Sequence, residues 1–298
     1  MRILISGASG LIGSALRARL TQQGDETAAL VRRSPQQNEV QWHPGQPLDP
    51  PQLAGFDAII HLAGKNIAGR WTEKFKREVR DSRVQGTRSL ATAAAESFRR
   101  TGQPRAFIAA SGAGFYGNRG DEVLTEASAP GEGFLAETCV AWEAAADPAR
   151  EAGVRVAHMR IGVVLAKDGG ALPPLLLPFR LGLGGRIGNG AQFWSWAALE
   201  DVIGAFVFAL HDESLSGPVN VVSPNPARVS EFVRALGAVL HRPTIFPLPA
   251  FVVRTLLGEM GQELLLDSAR VMPEKLQRAG YQFAYRELEP ALRAALNV

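Results

Sequence analysis

Two short stretches combine residue types and spacings that do chemistry. The first is Gly7-Ala8-Ser9-Gly10-Leu11-Ile12-Gly13, a GxxGxxG pattern that begins after six residues. Glycines allow a tight turn and let the backbone approach a pyrophosphate. A helix opening at that turn offers free N–H groups and a partial positive charge. In a strand–turn–helix setting the pattern reads as a dinucleotide cradle, with Gly7, Ser9, Gly10, Leu11, Ile12 and Gly13 as its contacts. Without that setting it is an ordinary glycine-rich turn. The second stretch is Leu30-Val31-Arg32-Arg33-Ser34. An NAD site places Asp or Glu at the end of the second strand, to accept from the ribose 2′-hydroxyl. Here there is no carboxylate but two guanidiniums and a hydroxyl. Arginine binds phosphate in a planar, bidentate way, so Arg32 and Arg33 suit the 2′-phosphate of NADP(H). The alternative is a solvated basic pair on a loop.

The elements around these stretches must supply the setting. Arg2–Ser6 is a short apolar run ending in glycine, as a buried parallel strand should. Leu11–Gln23 carries a helical stripe of Leu11, Ile12, Ala15, Leu16 and Leu20, closed by Gly24. Strands are expected at 27–31, 40–42, 57–62, 106–111 and 154–165. Helices are expected within 73–99 and over 137–152. This alternation predicts an α/β fold, a doubly wound parallel sheet with helices on both faces. The second half changes character. Residues 167–190 are rich in Gly, Pro and Leu without a clean period. Asp201 can cap a helix to about His211. Pro218–Val222 reads as a last sheet strand, and Ser230–Leu240 as an amphipathic helix. The remainder is punctuated by Pro247, Pro249, Pro273 and Pro290. The expected division is a dinucleotide domain over 1–165, its sheet completed by 198–223. A smaller, mostly helical C-terminal lobe would comprise 166–197 and 224–298 and close over the strand ends.

Composition narrows the partners. In 298 residues there are 32 Lys plus Arg against 29 Asp plus Glu, a net charge of +3 too small and too dispersed to argue for nucleic acid. A 46% hydrophobic content supports a full core. Cys139 is the only cysteine, and the five histidines form no close pair, so neither a disulfide nor a metal site is expected. The opening Met1–Gly7 lacks the apolar length of a signal peptide, and no run approaches a membrane span. These readings point to a cytoplasmic protein with a small-molecule substrate and no membrane partner; a homodimer stays open.

Further residues give a resemblance. GASGLIG near the start, His61-Leu62-Ala63-Gly64 after the fourth strand and Phe115-Tyr116-Gly117 after the fifth resemble an extended short-chain dehydrogenase/reductase. Arg70-Trp71, Ser82-Arg83, Trp142-Glu143, Gly169-Gly170-Ala171-Leu172, Leu181-Gly182-Leu183-Gly184-Gly185, Gln192, Ser195-Trp196 and Arg242-Pro243 narrow it to the atypical, YfcH-like epimerase family. Their order and spacing cover nearly the whole chain. The resemblance implies an NAD(P)-binding Rossmann fold with a seven-stranded parallel sheet, and NADP as cofactor. It also implies cofactor contacts at Leu62, Ala63, Gly64, Glu78, Arg83 and Val163. For Glu78 and Arg83 the other reading is a surface ion pair.

The chain departs from the wider family at its catalytic pair. Extended members carry Tyr-x-x-x-Lys on the helix after the fifth strand, where the Lys lowers the Tyr pKa for proton transfer. Counting back from Glu143, those positions fall on Leu135 and Cys139. Neither side chain can take the role. Tyr116, just past the fifth strand, is a replacement proton donor, with Ser111 orienting a carbonyl; otherwise Tyr116 packs in its turn and Ser111 merely ends the strand. Cys139 is either a reactive thiol or a buried inert one. Arg70, Trp71 and Lys74 either form a pocket wall with Arg180, Arg186, Gln192 and Trp194, or are a solvated face with the tryptophans packed between lobes. His61 reads as a packed residue beside the cofactor bed. The expected function is an NADP(H)-dependent oxidoreductase or nucleotide-sugar-epimerase-like protein acting on a small polar substrate. The alternative is a non-catalytic NADP(H)-binding redox sensor.

Overall fold

Seven short apolar runs build one parallel sheet in the computed structural model, which describes residues 1–298. The strands are β1 (Arg2–Ser6), β2 (Glu26–Val31), β3 (Glu39–Gln41), β4 (Ala58–His61), β5 (Ala106–Gly112), β6 (Arg155–Ile161) and β7 (Gly217–Val221). Their spatial order is β7-β6-β5-β4-β1-β2-β3, and every pairing is parallel. The order reverses beside β1, between β2 and β4. In open α/β sheets ligands bind at the carboxyl ends of the strands at such a switch. The three principal helices of the first half are α1 (Leu11–Gln22), α2 (Glu73–Thr101) and α3 (Phe134–Ala144). Thr72 caps α2 by accepting from Phe75 N–H at 3.2 Å, and Gly102, at φ 73°, ends it.

Each face of the sheet has its own core. Ile3, Ile5, Ile60, Ile108 and Met159 point to one side, where α1 and the helix Leu199–His211 cover them. Leu4, Ile59, Phe107 and Val156 point to the other, against α2 and the short helix Asp147–Glu151. Alternate residues of one strand thus serve opposite cores, as the two-residue period of a strand requires. A third core, built around Trp194, Trp196, Phe179, Phe232 and Leu292, belongs to the C-terminal half.

Four local expectations are corrected. The helix over 137–152 starts earlier, at Phe134, and is two helices; Pro148 opens the second, where a missing N–H costs nothing. The strand over 154–165 breaks at Gly162, where an added Cβ would overlap the carbonyl of Ser195. Beyond it Val163–Ala166 leaves the main sheet and pairs with Trp196–Ala198. The stretch 167–190 holds a helix, Leu172–Arg180, hidden in the sequence by Pro173, Pro174 and Pro178. Finally, Asp201 is not a cap. It lies inside the helix that starts at Leu199. Its buried carboxylate accepts from the N–H groups of Ala284 (2.6 Å) and Tyr285 (3.1 Å).

Asp201 therefore fixes the C-terminal segment to the sheet-covering helix. Replacing Asp201 with Ala leaves two backbone donors unpaired near the core. The expected loss is about 1–3 kcal/mol, read as a lower urea midpoint with unchanged m-value.

Candidate cofactor site

The first turn is shaped by what cannot fit. Gly7 has φ +69°, a left-handed conformation, and an added Cβ there would lie 2.9 Å from the amide nitrogen of Ala63. At Gly13 an added Cβ would overlap the carbonyl oxygen of Gly7. Gly10 N–H donates to Gly7 C=O at 3.0 Å and closes the turn; Ser14 N–H then makes the first helical bond to Gly10 C=O. Gly10 is the N-cap of α1, and no side chain bonds the first-turn N–H groups. The strand–turn–helix setting demanded of the motif is present, at the switch point of the sheet. The donors left open there suit an anionic pyrophosphate.

Ser6, unremarked in the sequence, fastens this edge. Its Oγ accepts from Leu62 N–H (3.1 Å) and Ala63 N–H (3.2 Å), and lies 2.6 Å from His61 Nδ1. His61 is fully buried against Trp42 and Phe107, and burial pushes its pKa down to about 4. It is a packed residue that orders the strand ends. A hydroxyl directly before Gly7 was the only signal for this latch.

The loop after β4 is anchored to α2. Lys65 N–H donates to Ser82 Oγ at 3.0 Å, and Lys65 Nζ pairs with Glu78 at 2.5 Å. Arg83 donates to the carbonyls of Lys65 (2.9 Å) and Val79 (3.1 Å) and lies 5.1 Å from the Trp142 ring centre. Glu78 and Arg83 thus do not pair with each other, as the surface-pair reading supposed. Arg83 also backs Gly64, where an added Cβ would stand 3.4 Å from its guanidinium carbon. Val163 sits just past β6, its N–H on Ser195 C=O at 2.8 Å.

Arg32 and Arg33 behave differently. Arg33 makes a bidentate pair with Glu39 of the neighbouring strand, both bonds 2.7 Å. Arg32 is exposed and pairs with no carboxylate. Of the two guanidiniums, Arg32 is free to meet a phosphate, and Arg33 is held by a carboxylate that lies on β3.

The residues expected to move protons are tied inward. Tyr116 is 0% exposed. Its hydroxyl accepts from Arg160 Nη1 (3.0 Å) and donates to Asn220 Oδ1 (2.7 Å). Burial raises its pKa. This geometry supports the packed reading of Tyr116 and gives it no face toward a ligand. Ser111 donates to Glu143 Oε1 at 2.7 Å, and Glu143 is held by two 2.8 Å bonds from Arg160. Arg160 also stacks 3.4 Å from the centre of the Phe115 ring. Arg160 was legible in principle, since a charge in the middle of an apolar strand needs a partner. Cys139 is buried, donates weakly to Gly112 C=O at 3.7 Å, and has its pKa raised to about 11, chiefly by burial. That is an inert thiol. Leu135 packs toward Gly114.

The supposed pocket wall is not assembled. Trp194 packs edge-on against Phe232 in the C-terminal core, and Trp71 packs edge-on against Phe134. Gln192 is buried and donates to the carbonyls of Ile187 and Leu265. Unforeseen was Glu263, whose two carboxylate oxygens each accept a 2.9 Å bond from the first N–H groups of α3, at Phe134 and Leu135.

Residues 3–222 match the NAD dependent epimerase/dehydratase family. The chain belongs to that family. Residues 248–295 match a domain of unknown function, DUF1731. The chain is 42% identical over 296 residues to the epimerase family protein ML0860 of Mycobacterium leprae, covering 98% of this chain and 95% of that protein. It is 37% identical to the human epimerase family protein SDR39U1, covering 98% and 99%. The crystal structure of human SDR39U1 isoform 2 with NADPH superposes with a TM-score of 0.86 at 34% identity, covering 100% of this chain and 99% of that one. A nucleoside-diphosphate sugar epimerase from Corynebacterium glutamicum gives 0.82 at 36% identity, covering 99% of this chain and 58% of that one. The family assignment agrees with the resemblance read from the motifs, and so does the seven-stranded parallel sheet.

The buried histidine has a measurable consequence. Burial holds the His61 pKa at about 4, well below the ordinary imidazole value of 6.5. A depressed base is stabilising where both states are neutral, above 6.5. That stability is lost as pH falls from 6.5 to 4, because the unfolded chain binds the proton first. The full loss is about 3 kcal/mol. His158, also buried and lowered, adds in the same direction. Urea unfolding at pH 7 and pH 5 should show a stability drop that His61→Gln reduces; an unchanged drop would remove His61 from the account.

Proposed function

We propose that the chain binds NADP(H) along the carboxyl edge of β1, β2 and β4 and exchanges its hydride with a small polar substrate. The observation that carries this reading is the Gly7–Gly13 turn, latched by Ser6 to Leu62 and Ala63, with the unpaired Arg32 beside it. In this reading Gly7, Ser9, Gly10, Leu11, Ile12 and Gly13 hold the pyrophosphate. Arg32 meets the 2′-phosphate, with Arg33 and Glu39 fixing the strand ends around it. Leu62, Ala63, Gly64 and Val163 line the path of the cofactor, and Glu78 and Arg83 hold that path in place. Residues 1–165 with 198–223 form the cofactor domain, and 166–197 with 224–298 the substrate side. Human SDR39U1, crystallised with NADPH, supports the choice of cofactor. When bound, the cofactor supplies the hydride.

The chain's own residues set the terms of the chemistry. With Leu135 and Cys139 in the Tyr and Lys positions, no phenol–ammonium pair moves the proton. Ser111 remains at the end of β5, and its hydrogen is committed to Glu143. Ser111 is only 4% exposed, and in this reading a substrate that reaches its oxygen meets lone pairs, so it donates a hydroxyl there rather than offering a carbonyl. Glu143, clamped by Arg160, fixes that orientation. The small polar substrate of this reading has a hydroxyl at its reacting end, and the hydroxyl proton is released to water when the carbon gives up its hydride.

A redox sensor is the second reading. What favours it is the fate of the protonic groups, with Tyr116 sealed in the core and Cys139 protonated and buried. The two readings separate by turnover. A sensor binds one redox form tightly and turns over no alcohol or carbonyl. An enzyme turns over, and Ser111→Ala lowers kcat.

Fluorescence titration tests the shared foundation. NADPH should bind more tightly than NADH. Arg32→Ala should weaken NADPH about tenfold or more, the scale of a charge-assisted phosphate contact, while leaving NADH unchanged. Equal affinity for both cofactors in the unaltered protein would end the NADP(H) assignment.

A further inference from the structure

The C-terminal half carries an apolar surface that the cofactor reading leaves unused. Of the large hydrophobic side chains exposed in the molecule, most lie in two segments, 177–183 and 245–257. Leu256 is 74% exposed, Ile245 71%, Phe251 69%, Leu177 66% and Leu181 65%. The segments form one surface. Phe246 N–H donates to Gly184 C=O (3.2 Å) and Leu248 N–H to Arg186 C=O (2.8 Å), and Arg242 Nε reaches Arg180 C=O at 2.9 Å. The helix Ala250–Gly261, with the sequence AFVVRTLLGEMG, follows directly. Only Val253 and Gly261 of its residues are buried. A helix that apolar normally turns a stripe to the core. This one turns Phe251, Leu256 and Leu257 outward.

Charge says what the surface meets. Residues 172–190 and 241–258 contain no Asp or Glu at all. They contain Arg180, Arg186, Arg242 and Arg254, all exposed, and none pairs with a carboxylate. Of the carboxylates that follow the second segment, Glu259 holds Lys76 and Glu263 caps α3, and Asp267, which feels the charge of Arg254, accepts from Gln262. In a chain with nearly balanced charge, this is a local excess of cations around protruding leucines and phenylalanines. A second copy would bring arginines against arginines. The apolar side chains stand out from the surface individually, which suits a fluid apolar phase better than a shaped protein groove.

We propose that this face docks on an anionic lipid bilayer, with Leu177, Leu181, Ile245, Phe251 and Leu256 entering the interface and the four arginines meeting lipid phosphates. No helix is long and apolar enough to cross a membrane, so the contact lies on the surface. The sequence expectation of no membrane partner came from the absence of a span, which says nothing about a basic and apolar face formed by two distant segments.

Vesicle co-sedimentation of the full chain tests it. Phosphatidylcholine vesicles containing phosphatidylglycerol should pellet the protein, and vesicles of phosphatidylcholine alone should pellet far less. Each arginine removed should lower partitioning about fivefold, so Arg242→Gln with Arg254→Gln should lower it about 25-fold, and added salt should act likewise. Phe251→Ser with Leu256→Ser should abolish binding while the far-UV circular dichroism spectrum, as a check of folding, stays unchanged. No pelleting with either vesicle overturns the proposal. So does a concentration-dependent dimer in sedimentation velocity that the Phe251→Ser, Leu256→Ser variant abolishes, which would assign the face to self-association. Failure of NADPH binding leaves the vesicle result unaffected, so the two readings fall separately.

Discussion

Everything at the ligand edge depends on one close approach, α1 starting against the end of β1 with no side chain between them. The Gly7 carbonyl occupies the space that a Cβ at Gly13 would need, and the Gly7 Cα faces the backbone of Leu62 and Ala63. Three backbone segments meet there without intervening atoms. Ser6 then ties two of them together by accepting from Leu62 and Ala63 and sharing a hydrogen bond with His61. Because the contact is backbone to backbone, it leaves the first-turn N–H groups of α1 pointing into an open edge. The same steric constraint that packs the helix on the sheet creates the anion site. Packing and binding are one feature here.

The buried Arg160–Glu143 pair ties α3 to β6. The guanidinium is 4% exposed and the carboxylate 13%. Taking both from water is costly, and further hydrogen bonds offset part of that cost. Arg160 donates a third N–H to Tyr116, Tyr116 donates to Asn220, and Asn220 donates to Met272 C=O. Ser111 completes Glu143. The chain of bonds runs from the end of β5 through α3 and β6 to β7 and the C-terminal segment. It consumes Tyr116 and directs Ser111. These polar groups act as a structural rivet, which explains why Tyr116 is sealed from solvent.

The legibility of the sequence follows from the range of the forces involved. Local signals were sufficient for β1, α1, β2, β4 and α2, because apolar runs, a glycine after a strand and a capping Thr are written in neighbouring residues. The glycine turn was legible for the same reason. What could not be read was every partner distant in sequence. Glu263 reaches Phe134 and Leu135 across 129 and 128 residues. Asp201 carries the sequence signature of a cap, yet it serves Ala284 and Tyr285. Proline misled in both directions. Pro148 split an expected helix, whereas Pro173 and Pro174 concealed a real one by standing in its first turn, where proline is tolerated.

Carboxylates on backbone N–H groups are among the links that hold the C-terminal half, and one of them has a consequence for α3. Glu263 places two oxygens over the first turn of that helix, so the negative charge that a helix N-terminus attracts is supplied from within the chain. Burial raises the pKa of Glu263 while the two N–H groups lower it, with burial the larger effect. The helix end beside Leu135 is therefore already satisfied, unlike that of α1. Of the two helix N-termini at the ligand edge, one is open and bordered by Arg32, and the other is closed by Glu263. Under the proposed reading this asymmetry favours an anionic ligand at the first. The closure of the second is built from residues 129 positions apart.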